Sequence, residues 1–215
     1  MKKILFGICI NALLWLAPIA QAGPMGFKNS TMSMGDFSTN WREGFVNYAL
    51  TSKEAIGSEA VYMRSDDKHL TRKALGLTYT RLAKRWNMPE AQANVWLLGG
   101  VSSAQGNDFS GTRTLLSPGI QFDYETTRVY FATTARLYRA SHMKHDYSAL
   151  RAGFSFYEVN YDEIQPWFIF EARRMQGLSD KTEMTPMLRL IHNRYFIEAG
   201  VSSDKQARFN FMYIF

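Results

Sequence analysis

The segment from Ser141 to Ser148 carries the side chains of a candidate nucleophilic site. It reads Ser-His-Met-Lys-His-Asp-Tyr-Ser and supplies a hydroxyl, an imidazole and a carboxylate. These groups can activate a serine, so a pair such as Ser148 and His145 could transfer an acyl group. Short segments rich in serine and histidine are common, however, and a motif counts only in the right structural context. Acyl hydrolysis is therefore kept as an alternative hypothesis.

The same segment offers metal ligands. His142 and His145 are three positions apart, and Met25, Met32 and Met34 cluster within ten residues of one another. Imidazole and thioether ligands together suit copper. Methionine also fills irregular apolar surface, and the two groups need not form one site. Copper binding is a second alternative, and no bound cofactor is expected.

Charged residues recur at alternate positions within apolar segments. Leu150, Ala152 and Phe154 alternate with Arg151 and Ser155. Because successive side chains of a strand point to opposite faces, one face is apolar and the other carries the charges. If such strands close into a barrel, nine charged residues are predicted to point into its interior: Glu59, Asp123, Arg136, Arg151, Glu171, Arg173, Arg189, Glu198 and Arg208. With five basic and four acidic members, this interior should be nearly neutral.

Runs of about ten residues, the length of a strand that spans a bilayer, alternate with turn residues along the chain after the first 22 residues. About twelve strands are predicted, near residues 27–37, 41–50, 56–65, 72–83, 92–104, 112–124, 127–140, 146–158, 164–176, 181–191, 195–202 and 206–215. No helical period competes with them, and no linker or repeat divides the chain. The prediction is an all-β fold, a single closed antiparallel transmembrane barrel over residues 23–215. If Asn193 and Arg194 form a two-residue turn, Arg189 lies opposite Glu198.

The last strand carries aromatic residues at alternate positions, Phe209, Phe211, Tyr213 and Phe215, and the sequence stops at the last of them. In this respect the chain resembles the outer-membrane β-barrel proteins of Gram-negative bacteria, whose last strand ends in such a row. The resemblance implies location in the cell outer membrane and recognition of this row as an assembly signal by the barrel assembly machinery. The chain lacks the His-x-Ser motif of the lipid A deacylase barrels and a Ser, His and Asn set of the outer-membrane phospholipase type.

Residues 1–22 have the features of a cleaved secretory signal peptide. Lys2 and Lys3 precede a mostly apolar stretch, and Ala20-Gln21-Ala22 offers a cleavage site. The apolar stretch is shorter than the roughly 18 residues that a transmembrane helix needs. Cleavage would remove Cys9, the only cysteine of the chain, so no disulfide could stabilise the exported protein.

The charge of the chain indicates which kinds of binding partner to expect. The chain has 215 residues, a formal net charge of +6 and an isoelectric point near 9.4. Export separates it from nucleic acid, and its basic residues are dispersed rather than grouped. Outer-membrane lipids and lipopolysaccharide are therefore the expected partners. Aromatic residues near strand ends are assigned to girdles at the membrane interfaces: Trp41, Trp86, Tyr124, Trp167, Tyr195 and Tyr213.

The strand number bears on function. Barrels of about eight strands are filled by side chains, whereas those of about sixteen enclose an aqueous channel. With about twelve strands and several long arginines inside, we expect a filled or constricted lumen. The favoured hypothesis is a non-enzymatic outer-membrane barrel with a structural role or passage of a small solute. The lipid acyl hydrolase and the copper-binding protein remain its alternatives.

Overall fold

Thirteen strand segments make up the fold in a computed structural model that describes residues 23–160 and 162–215. The predicted signal peptide lies outside the described residues. The segments are β1 (Thr31–Phe37), β2 (Trp41–Ala49), β3 (Glu54–Arg64), β4 (Thr71–Asn87), β5 (Ala91–Gly106), β6 (Arg113–Leu116), β7 (Gly119–Thr126), β8 (Val129–Ala140), β9 (Met143–Ser155), β10 (Gln165–Gln176), β11 (Thr182–His192), β12 (Tyr195–Val201) and β13 (Ala207–Ile214). Within these residues no helix is long and apolar enough to cross a membrane.

The strands close into a barrel. Apart from β6 and β7, consecutive strands pair with each other in antiparallel fashion, and β1 pairs with both β2 and β13. Segments β6 and β7 flank Ser117 and Pro118 and both pair with β5 and β8. They form one barrel strand that is interrupted at Pro118, which has no N–H to donate. The barrel therefore has twelve strands, and the predicted fold class is confirmed.

The barrel has an apolar outer surface and a polar inner wall. Leu150, Phe154 and Phe170 are 47%, 48% and 43% exposed on the outside, whereas Glu171 and Arg173 are buried inside. An apolar outer belt on a closed barrel is the surface that faces lipid in membrane-spanning barrels. A one-residue slip of register would turn the inner charges into lipid, which costs about 2 to 4 kcal/mol for one arginine at the midplane.

Both described termini lie at one end of the barrel, together with the short turns β2–β3, β4–β5, β7–β8 and β11–β12. We call this the periplasmic end and the opposite one the outer end. Strand β1 begins at Thr31 rather than near residue 27, because Phe27 to Ser30 form a turn. In this turn the Ser30 N–H donates to the Phe27 carbonyl at 3.0 Å, and Asn29 has a positive φ of 65°.

Strand β9 begins three residues earlier than predicted. Its first residue is Met143, because the turn from β8 consists of Ser141 and His142 alone, and His142 has a positive φ of 61°. Most of the segment from Ser141 to Ser148 is therefore strand, so its side chains alternate between the two faces of the wall.

The C-terminal aromatic row lies on the lipid face. Phe209, Tyr213 and Phe215 are more than two-fifths exposed, and Phe37 of β1 stacks against Phe209 and Phe211 across the closing pair of strands. The Phe215 N–H donates to the Thr31 carbonyl at 2.8 Å. The row therefore covers the junction where the barrel closes. Its role as an assembly signal stays a prediction.

Candidate functional site

The inner wall carries the charged residues of the candidate site. The structure places the following predicted residues inside the barrel: Glu59, Asp123, Arg136, Arg151, Glu171, Arg173, Arg189, Glu198 and Arg208. Eight of them take part in ion pairs, which form two separate groups. Asp123 lies apart from both.

Arg136 joins opposite walls of the lumen. From β8 its guanidinium reaches Glu43 of β2, with Nη1 to Oε1 at 3.1 Å, and Glu59 of β3, with Nη2 to Oε2 at 3.0 Å. The same Nη2 donates to Ser117 Oγ at 3.0 Å. Gly100 makes room for this arrangement, because a Cβ there would lie 2.3 Å from Ser117 Oγ and 3.2 Å from Glu59 Oε1. The lumen is thus bridged by a hydrogen-bonded ion pair.

A second group links β10 and β13 to β1 and β11. Arg173 reaches Glu183 at 2.8 Å and Asp36 at 3.4 Å. Arg208 reaches Asp36 and Glu171, each at 3.1 Å. Strand β10 is separated from β1 by β11, β12 and β13, so the Arg173–Asp36 pair also crosses the lumen.

Glu198 is the centre of the pairs contributed by β9, β11 and β12. Its carboxylate contacts Arg189 and Arg151, each at 2.5 Å, and accepts a hydrogen bond from Asn210 Nδ2 at 2.7 Å. Arg189 lies directly opposite Glu198 in the strand register. Arg151 also reaches Glu171 at 3.3 Å, which connects Glu198 to the second group. Every carboxylate oxygen of Glu198 therefore has a charged partner.

Sequence reasoning missed three inner carboxylates, Asp36, Glu43 and Glu183. Glu183 shares its parity with Arg189, so alternation along β11 could have identified it. Two further arginines lie on the inner wall outside the two groups: Arg72, which contacts the inward His145, and Arg85, whose Nε donates to the inward Asn94. With these two, seven arginines stand against seven carboxylates, Asp123 included. The nearly neutral interior therefore stays a prediction.

An apolar cluster fills the outer part of the lumen. The Trp41 ring meets the Tyr138 and Tyr147 rings, each at a centroid distance of 5.4 Å. The cluster also contains these inward side chains: Val61, Met63, Ala74, Ala104, Leu115, Met143, Met175 and Leu178. Trp41 and Trp167 are each 1% exposed, so their assignment to a membrane girdle is wrong. Their positions share the parity of the inner face, whereas Trp86, Tyr195 and Tyr213 are exposed.

Two outer loops close over this cluster. Ser179 Oγ of the β10–β11 loop donates to Asp66 of the β3–β4 loop at 2.6 Å, and the Asp66 N–H donates to the Leu178 carbonyl at 3.1 Å. Asn40 in the β1–β2 turn also donates to Asp66. Leu178 is thereby held at the mouth of the barrel, where it is 5% exposed.

A cavity of about 180 Å³ remains between these closures. Its wall includes Glu43, Glu59 and Arg136, and its periplasmic floor includes Gly23 and Pro24. A water molecule needs only about 10–15 Å³ of such volume, so the cavity is large enough for several waters.

The structure separates the residues of the hydrolase hypothesis. His145 is buried and points inward, whereas Ser148 is exposed on the outer face of the same strand. A side chain at 148 cannot meet one at 145 across the sheet, so this pair does not form a catalytic dyad.

The structure also separates the ligands of the copper hypothesis. His142 is exposed in a turn at the outer end, whereas Met25 and Met32 are buried near the periplasmic end. Within residues 23–160 and 162–215, no group of three or more His, Cys, Asp or Glu side chains is arranged to hold a metal ion.

Arg72 ties the β5–β6 loop to the outer end of the wall. It donates to both carboxylate oxygens of Asp108, from Nε at 3.1 Å and from Nη2 at 2.5 Å, and its Nη1 contacts His145. These hydrogen bonds hold the pKa of Asp108 below its ordinary value. Since the folded-state pKa is depressed, the contact stabilises the loop above the unfolded value of about 3.9, and this stabilisation is lost as the pH falls through the folded pKa.

This linkage predicts that the β5–β6 loop loosens in acid. A spin label on Ser110→Cys, in a mature chain without other cysteines, should be restrained at pH 7 and mobile once the pH falls below the depressed pKa of Asp108. The same label in Asp108→Asn should be mobile at both pH values, and a label on Ser203→Cys in the β12–β13 loop is the control. A restrained label in Asp108→Asn at pH 7 would contradict the role given to this carboxylate.

Comparisons with known proteins give similarity in fold alone. No protein-family model matches the chain, and no curated protein matches its sequence significantly. Among solved structures, the KdgM porin in complex with disordered oligogalacturonate is 13% identical, with a TM-score of 0.49 over 86% of this chain and 98% of the porin. OccK8 (OprE) of Pseudomonas aeruginosa is 9% identical, with a TM-score of 0.41 over 85% of this chain and 62% of that protein. A loop-deleted OmpT, an outer membrane protein of Vibrio cholerae, is 7% identical, with a TM-score of 0.32 over 86% and 97% of the two chains.

The apolar belt and the closed antiparallel sheet are the features of a membrane-spanning β-barrel. The chain has this fold. The apolar outer face is suited to contact with lipid, and the charged groups lie on the inner wall.

Proposed function

We propose that the protein is a tightly constricted outer-membrane barrel that passes only small solutes, cations in preference to anions, and is otherwise closed. The observation that carries this proposal is the Arg136 bridge, which joins β8 to Glu43 and Glu59 on the opposite wall. An open channel of this strand number would need that space for water.

Side chains occupy the lumen at three levels along its axis, which supports the proposal. The Trp41 cluster and the loop at Leu178 occupy the outer part, and the ion pairs around Arg136 and Glu198 occupy the middle. Pro24 and its neighbours occupy the periplasmic part. Passage of a solute therefore requires side chains to move at each level. Ion pairs deep in a barrel resist such movement, because a separated buried charge loses its partner without regaining bulk water.

The preference for cations follows from the charges that line the cavity. The cavity wall contains four carboxylates against three arginines: Asp36, Glu43, Glu59 and Glu171 against Arg136, Arg151 and Arg189. Rings of acidic side chains favour cations in narrow pores, and the low dielectric of the wall strengthens the effect. The surplus of carboxylates near the cavity includes Asp36 and Glu43, which sequence reasoning missed.

Swelling of proteoliposomes tests the proposal directly. Vesicles with wild-type protein should swell at the protein-free rate in a disaccharide and at most slowly in glycine, since the cavity volume is about 180 Å³. Arg136→Ala should raise the glycine rate, because it removes the bridge across the lumen. Arg81→Ala, which alters an exposed side chain at the periplasmic end, is the matched control. Rapid swelling of wild-type vesicles in the disaccharide would show an open pore and refute the proposal.

A further inference from the structure

Three residues at the start of the described chain lie inside the barrel. Met25 is fully buried and packs with Trp96, Ala49, Ala55 and Leu82 of the periplasmic inner wall. The Pro24 carbonyl accepts a hydrogen bond from Asn47 Nδ2 at 2.8 Å. Gly23 lies against the Trp96 indole, since a Cβ at position 23 would be 2.5 Å from Trp96 Cζ2. We call residues 23–25 the inner segment.

The turn that follows directs the inner segment into the lumen. The Asn29 N–H donates to the Ala49 carbonyl at 2.8 Å, and the Ala49 N–H donates to the Ser30 carbonyl at 2.9 Å. Phe27 stays outside the wall, 48% exposed, with the Arg194 guanidinium 5.4 Å from its ring centre. The chain is thus fixed on the rim and turns back inward, where Gly23 and Pro24 form part of the cavity wall.

Asp123 lies beside this segment and has an unusual environment for a carboxylate. It is 1% exposed and accepts hydrogen bonds from Asn94 Nδ2 and Trp96 Nε1, each at 2.6 Å, and from Gln121 Nε2 at 3.4 Å. All three donors are neutral. Among the described residues no lysine or arginine comes within ion-pair distance of Asp123, in contrast to the other inner carboxylates that sequence reasoning identified. The charge of Arg85, whose Nε donates to Asn94 Oδ1 at 2.7 Å, acts on Asp123 only from beyond that distance. A buried carboxylate without a direct ionic partner is costly.

The Trp96 side chain contacts both Gly23 and Asp123. Its indole N–H is bonded to Asp123, and the adjacent edge of the same ring touches Gly23. Gly23 and the Asp123 carboxylate therefore contact neighbouring edges of one indole ring. Hydrolysis of the Ala22–Gly23 amide would add water across that bond, leaving a carboxylate on Ala22 and a protonated amine on Gly23.

We propose that the α-ammonium of Gly23, created by signal cleavage, is the counter-ion of Asp123 and holds the inner segment as a stopper in the periplasmic mouth. The proposal rests on cleavage after Ala22. An uncleaved chain has an uncharged amide at this position, so the charge pair forms only after export. Processing of the signal peptide thereby completes the closure of the barrel.

The first measurement is the intact mass of the purified protein, which should correspond to a chain that begins at Gly23. The second is the rate at which an amine-reactive ester acylates the α-amine of the folded protein at neutral pH, read from the N-terminal peptide by mass spectrometry. Pairing keeps the amine protonated and unreactive, so Asp123→Asn should accelerate acylation by about tenfold. Asp204→Asn, in the exposed β12–β13 loop, should leave the rate unchanged.

A second variant tests the charge pair without touching Asp123. Two residues, Gly-Ser, inserted between Ala22 and Gly23 leave the inner segment intact but move the ammonium by up to about 7 Å. This variant should react as fast as Asp123→Asn. A mature chain that begins elsewhere, or equal acylation rates in wild type and in the insertion variant, would overturn the proposal. Slow acylation together with large conductance would instead refute the constricted barrel and leave the charge pair standing.

Discussion

Replacing Glu198 by alanine should lower the free energy of unfolding by about 3 to 5 kcal/mol. Glu198 is 1% exposed and binds both Arg189 and Arg151, so its removal leaves two buried guanidinium groups short of a partner. Asn210 loses its acceptor as well. Denaturant titration of the protein folded into lipid vesicles, followed by tryptophan fluorescence, measures the change.

The matched control is Glu54→Ala. Glu54 pairs with Arg81 at 3.4 Å near the periplasmic rim, where the two side chains are 35% and 57% exposed. Exposed pairs of this kind contribute about 0 to 1 kcal/mol, so the control should lose little stability. Equal losses in the two variants would show that the Glu198 pairs are solvated and that the lumen is not filled around them.

Placing an arginine on the lipid face should also be costly, and the cost should depend on depth. Leu150 is 47% exposed near the middle of β9, so Leu150→Arg should lower the free energy of unfolding by about 2 to 4 kcal/mol. Phe154 is on the same face but one residue from the end of β9. Phe154→Arg should therefore cost less, since the penalty falls towards about 0 to 1 kcal/mol at the interface.

The same vesicle titration compares the two variants. If Leu150→Arg proved as mild as a polar substitution in a loop, the outer face would not be in lipid. If Phe154→Arg were the more costly of the two, the membrane would be centred nearer the periplasmic end than the strand boundaries indicate.

Much of the barrel could be predicted from local pattern. Side-chain alternation has a period of two in any strand, so Arg151 and Glu171 could be assigned to the inner face without knowledge of the fold. The pairing of Arg189 with Glu198 followed from a two-residue turn, because a short hairpin fixes register over the next few residues. These are properties of one or two neighbouring strands.

Contacts across the lumen could not be predicted in this way. Arg136 meets Glu43 and Glu59 over separations of 93 and 77 residues, and the curvature of the closed sheet decides which strands face each other. Trp41 and Trp167 were assigned to the girdles because tryptophan suits both a membrane interface and a packed interior. The inner segment was not predicted, because the first strand was expected to begin near residue 27. That range includes the turn that directs Met25 into the barrel.

The most direct test of the filled lumen is single-channel recording in a planar bilayer, with wild type compared with the triple variant of Arg136, Arg151 and Arg173 to alanine. Wild type should show small or rare openings, because Arg136 and Arg173 bridge the lumen and Arg151 fills space beside Glu198. The triple variant should conduct more and favour cations more strongly, since Glu43, Glu59 and Glu198 then lose positive partners. Arg81→Ala should behave as wild type. A wide, stable wild-type channel that prefers anions would contradict the account.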